Sequence, residues 1–156
     1  MSPQPTENTA TAWHRSFAIE FNNLAWDLSV QDRSPKEDDE MLNAAHASAL
    51  HWAKVGTTLH QMRATMLLAE VHALLGHGKS ALEYATTICD FFLNQDDTPD
   101  WEIAFTHAIH AHAAHLEGNT GRYTTAYHDA REAIEAISDP GDREIVQQTF
   151  NHIPSP

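Results

Sequence analysis

One cysteine, few basic side chains and no long apolar run set the first limits on this 156-residue chain. A single thiol, Cys89, excludes an internal disulfide and a thiolate metal cluster. It sits among Ile88, Phe91 and Phe92 on an apolar helical stretch and reads as a small buried hydrophobe. No apolar run approaches the roughly 18 residues that a membrane-spanning helix needs. The opening MSPQPTENTAT has neither a basic nor an apolar leader region, so no secretory signal is expected and the cytoplasm is the expected location.

Lysine and arginine number nine against 22 aspartate and glutamate, a formal net charge of −13. Phosphate neutralisation needs clustered basic residues, so the balance argues against nucleic acid and against anionic membrane surfaces. A cationic ligand or a basic peptide is electrostatically easier to attract. Period-two alternation is almost missing as well, which leaves little room for strands.

What remains is helix after helix. Trp13, Phe17, Phe21, Leu24 and Leu28 recur at steps of three or four, predicting a first helix from about Trp13 to Val30 with one apolar stripe. Ser34-Pro35-Lys36-Glu37 supplies an N-cap, a first-turn proline and a capping-box acid, worth about 1 kcal/mol as a cap. The second helix turns Leu42, Ala45, Ala49 and Trp52 inward and stops at Gly56. A third spans Thr57 to Gly76 and a fourth Lys79 to Leu93. Thr98-Pro99-Asp100 opens a fifth that ends at Gly118-Asn119; a sixth follows to Ile137, and Asp139-Pro140 opens a short seventh reaching Phe150. The expected fold is all-α, six to seven helices stacked as antiparallel hairpins. A single helical domain is expected over residues 12–151, between a disordered N-terminus at 1–11 and a disordered tail at 152–156.

Two helix pairs share a plan. "LLAEVHALLGHGKSALEYATTI" (Leu67–Ile88) overlays "IHAHAAHLEGNTGRYTTAYHDA" (Ile109–Ala130), with Gly76 on Gly118 and Ala69 on Ala111. The arrangement of small residue, turn, aromatic and alanine resembles the tetratricopeptide repeat, best in "ALLGHGKSALEYA". The second unit departs from it with Tyr123 where the family has a small residue, and the glycine-to-glycine period is 42, not 34. "HWAKVGTTLHQMRATMLLAEVHALLGHGKSALEYA" and "DWEIAFTHAIHAHAAHLEGN" also resemble an uncharacterised bacterial family of short helical-repeat proteins. That resemblance implies a fold and no activity.

The segment "HAIHAHAAH" packs four histidines into residues 107–115. On a helix they spread over about 200°, so they cannot converge on one metal. Only His107 with His110, and His112 with His115, share a face at i,i+3. No HExxH and no Glu-x-x-His occurs, which removes the common zinc-protease and di-iron signatures. "GHGKS" (Gly76–Ser80) follows a helix and lacks the spacer of a phosphate loop. In the repeat register His107 and His110 belong to the packing face, whereas His112 and His115 fall on the concave surface.

The same register brings forward Arg63, Met66 and Glu70, with Phe105 in the floor, as a ligand-binding groove shared with His112 and His115. His51, Trp52 and His60 would form its wall. Arg63 could clamp a carboxylate or phosphate, and Glu70 lies two turns along the same face. The expected function is an interaction module without catalysis, needing no cofactor or metal. A protein or peptide partner, a small polar ligand or a second copy of the chain are the partners this allows. Two rivals stand beside it: a histidine-based metal-binding protein or hydrolase using His112, His115, Glu70 and a histidine of the second helix, and an acidic helical-repeat chaperone.

Overall fold

A computed structural model describes residues 7–156, and among the described residues there are seven α-helices and no strand. They are α1 (Glu7–Ser29), α2 (Pro35–Val55), α3 (Thr58–Leu74), α4 (Gly78–Phe92), α5 (Asp100–Leu116), α6 (Thr120–Glu135) and α7 (Pro140–Phe150). The all-α architecture of packed adjacent helices is therefore the one the sequence pattern describes. No described helix is long and apolar enough to cross a membrane. The chain divides into two compact units, Met1–Leu68 and Ala69–Pro156.

In the first unit α1 packs against α2. The joint between them is built locally. Ser34 Oγ accepts from the Glu37 amide, and the Glu37 carboxylate accepts from the Ser34 amide at 2.7 Å, closing the capping box. Arg33 ties both helices: its Nε donates to Asp38 at 2.7 Å in the first turn of α2, and its guanidinium donates to the Leu28 carbonyl at 3.0 Å at the end of α1. The large stripe of α1 meets α2 only along one edge, through Leu28 and the contacts of Phe17 and Phe21 with His51. Ala18, Ala25, Leu28 and Ser29 are buried, while Trp13 and Phe17 are 53% and 43% exposed. Small residues allow the backbones to approach closely, and Ser48 Oγ fills the gap by donating to the Ala18 carbonyl at 2.8 Å. On α2, Met41, Ala44, Ala45, Ser48 and Trp52 are the buried residues. Trp52 closes a small cluster with Ala18 and Ala64.

In the second unit α5 is central, packed by α4, α6 and α7. Three neighbours demand small side chains on several sides, and Ala104, Ala108, Ala111, Ala113 and Ala114 are all fully buried. The two turns aligned in the sequence, after α3 and after α5, share a backbone geometry. Gly76 and Gly118 both take positive φ, 75° and 69°. His77 N donates to the His72 carbonyl and Asn119 N to the Ala114 carbonyl, the same six-residue closure after each glycine-terminated helix. A β-carbon is strained in that conformation. Gly76→Ala and Gly118→Ala should each lower stability by about 1 kcal/mol, whereas Gly121→Ala, helical with open space around its Cα, should raise it by about 0.5 kcal/mol. Equilibrium urea denaturation of the three variants checks the contrast.

The two segments expected to be disordered, 1–11 and 152–156, are described in part. Residues 1–6 lie outside the described residues, and residues 7–11 are the first turns of α1. At the other end Ile153 is 6% exposed, and the Tyr123 hydroxyl donates to the Pro154 carbonyl. An isoleucine and a tyrosine partner hold a tail that its prolines made look free.

Candidate ligand cavity between α4, α5 and α6

The face of α6 opposite α5 carries Gly121, Thr125 and Ala126. These side chains are too short to fill the space between helices, and a cavity of about 410 Å³ results. His107 and His110 from α5, Arg122 and Asp129 from α6, and Cys89 and Leu93 from the end of α4 complete its lining. Its walls thus hold two imidazoles, a guanidinium, a carboxylate, a hydroxyl and an apolar side.

Antiparallel packing sets the order of these groups. His107 Nδ1 stands 4.0 Å from the Asp129 carboxylate, which is 46% exposed at the rim. Arg122 lies two turns earlier on α6, roughly 10 Å away along the helix axis. His110 lies between these charges and senses both. Burial pushes the His110 imidazole down to about 4, and the positive charges of Arg122 and His107 push the same way against Asp129. Burial also lowers His107, with Asp129 partly opposing it. Both rings are therefore neutral at pH 7, each with one N–H to donate and one lone pair to accept. Burial, reinforced by the Asp90 charge, pushes the Cys89 thiol up to about 11, so the sulfur is protonated and weakly nucleophilic.

The residues brought forward by the repeat register are distributed differently. Arg63 and Met66 belong to the first unit; Glu70, Phe105, His112 and His115 belong to the second. Met66, Glu70, Phe105 and His112 are 2%, 1%, 6% and 8% exposed. Burial drives the His112 imidazole to about 4, with the charges of His152 and His115 adding to the effect. His115 is half-buried and packs its ring 4.7 Å from that of Tyr123. In the first unit His60 stacks on Trp52, centroids 4.3 Å apart and planes within 3°, while Arg15 lies over the same indole at 5.9 Å. His51 turns instead toward α1, its Nδ1 2.8 Å from His14 Nδ1 and its ring 5.5 Å from Phe17. Trp52 and His60 are thus together, and His51 is on another side of α2. Among the described residues no three His, Cys, Asp or Glu side chains converge as a metal-binding set.

Arg122, Asp129 and Thr125 are cavity residues that sequence reasoning passed over. The signal was present: Arg122 and Asp129 are seven residues apart, the same two-turn spacing that drew attention to Arg63 and Glu70. No family model matches the chain, and no curated protein or solved structure matches it significantly. The fold and the cavity alone define its class, a helical-hairpin protein with a polar, charge-lined pocket in its second unit.

Proposed function

We propose that the chain is a tetratricopeptide-like binding module, and that the cavity between α4, α5 and α6 takes a small zwitterionic ligand such as a short peptide. The observation that carries this reading is the placing of Arg122 and Asp129 on one face of α6 with neutral His110 between them. Arg122 suits a carboxylate, which it can hold in bidentate fashion. Asp129 suits an ammonium group. Across the intervening ~10 Å the imidazoles and Thr125 offer donors and acceptors for a peptide bond, and Leu93 and Ala126 offer an apolar wall. The state of the reactive groups supports binding over catalysis. A thiol at about 11 is not a ready nucleophile, and an imidazole at about 4 is a weak base at neutral pH. A reducing, cytoplasmic setting suits the free thiol.

Isothermal titration with four probes of similar length tests the reading: a tripeptide with free termini, the same peptide amidated and acetylated, a diamine and a dicarboxylate. The free tripeptide should bind best. Arg122→Ala and Asp129→Asn should each weaken it by about 10- to 100-fold, the loss of one charge-assisted hydrogen bond of roughly 1.5–3 kcal/mol. Equal binding of all four probes, or affinities untouched by either substitution, would remove the zwitterion assignment.

A further inference from the structure

The exposed aromatic stripe of α1 borders a groove that none of the described residues of the first unit fills. Phe21 and Leu24 from α1 and Lys36, Asp39, Glu40, Asn43 and Ala47 from α2 line it, with a volume of about 600 Å³. Phe17 stacks on Phe21 at 6.0 Å and extends the apolar floor toward Trp13, one further turn along α1. His51 packs against both phenylalanines, at 5.5 and 6.2 Å, and closes one wall from α2. From Trp13 to Leu24 the floor runs about 16 Å, the length of three helical turns.

The rim is charged, and mostly of one sign. Asp39 and Glu40 are exposed on the α2 side. On the α1 side Glu20 and Asp27 are exposed and lie three residues past Phe17 and Leu24, on the outer flank of the stripe. Lys36 is the basic residue lining the groove. A second copy of this chain would set these carboxylates against one another. We infer that the α1–α2 groove docks an amphipathic helix of a partner protein, with its apolar stripe on Trp13, Phe17, Phe21 and Leu24 and its flanking lysines or arginines on the acidic rim. Helix-in-groove recognition of this kind reads apolar anchors at i, i+3, i+4 and i+7, which matches the spacing of the floor. Opposite charges on the two rims also speed encounter and fix which way the partner helix lies.

The probe is a synthetic helical peptide of roughly 14 residues, with leucines at those spacings and lysines on both flanks, alongside a twin in which glutamates replace the lysines. Both are titrated into the full chain and followed by fluorescence anisotropy. The lysine peptide should bind at micromolar concentrations, the glutamate twin at least 10-fold more weakly. Phe17→Ser, at an exposed site that leaves the fold intact by circular dichroism, should lower affinity at least 10-fold. The double charge reversal D39K/E40K should shift preference toward the glutamate twin. No binding of the lysine peptide, equal binding of the twins, or indifference to Phe17→Ser would overturn the proposal. So would concentration-dependent dimerisation of the chain that Phe17→Ser abolishes, since a second copy would then be the occupant.

Discussion

Acidification from pH 7 to pH 5 should lower the stability of the second unit by about 2 kcal/mol through His112 alone. Burial drives this imidazole from its ordinary 6.5 to about 4 in the folded chain. At pH 7 the ring is neutral in both folded and unfolded states and contributes no pH dependence. Below about 6.5 the unfolded chain takes up a proton that the folded chain refuses, so stability falls until the pH reaches about 4 and then levels. His110, also brought to about 4, adds to the loss in the same window, by less because its ring is more open to solvent. The carboxylates whose acidity is enhanced, Asp100 through the Ser138 amide and Glu37 through the Ser34 amide, lose their contribution only at lower pH. Urea unfolding at pH 7, 6 and 5 measures the imidazoles separately from them. His112→Leu should flatten the profile. A wild-type stability constant to within about 0.5 kcal/mol across that range would show that His112 is not held neutral by burial.

The second large effect is expected in α5, from opposite changes at neighbouring sites. Ile109 is fully buried, and Ile109→Ala should cost about 3 kcal/mol through lost transfer energy and the void left behind. Ala111 is equally buried on the helix that α4, α6 and α7 enclose. Ala111→Leu adds volume where there is none, and should cost about 2–3 kcal/mol or push a neighbouring helix away. Together the two distinguish a close-packed centre from a loose one. Thermal unfolding of both variants is the measurement; a tolerated Ala111→Leu would mean that α5 is not gripped on three sides.

Helix identity was legible because it depends on local chemistry. The Ser34-Pro35-Lys36-Glu37 cap, the Asp139-Pro140 start, at which Asp139 accepts from the Gly141 and Asp142 amides, and the glycine stops at 76 and 118 each act within a few residues. Which face of a helix meets its neighbour was harder to read. In α1 the large apolar residues pointed to one face, but close approach selected Ala18, Ala25 and Ser29 on the adjacent one. Hydrophobic periodicity weighs side chains by size, and small residues that permit backbone contact carry little weight in it. The histidine run shows the same difficulty in another form. His107 and His110 occupy a packing face in the repeat register, yet they line a cavity because the residues opposite them on α6 are Gly121, Thr125 and Ala126. A void is a property of two facing helices. The helix that carries the histidines does not encode it alone.

Ligand binding in the α4–α5–α6 cavity, as proposed, would be reported directly by imidazole resonances. In a two-dimensional NMR titration with the free-terminus tripeptide, the ring signals of His107 and His110 should move along one saturable curve, while those of His14 and His51 in the first unit stay fixed. Arg122→Ala should shift the midpoint of that curve about 10-fold or more toward higher peptide concentration. Stationary His107 and His110 signals at saturating peptide, or shifts confined to His14 and His51, would contradict the account.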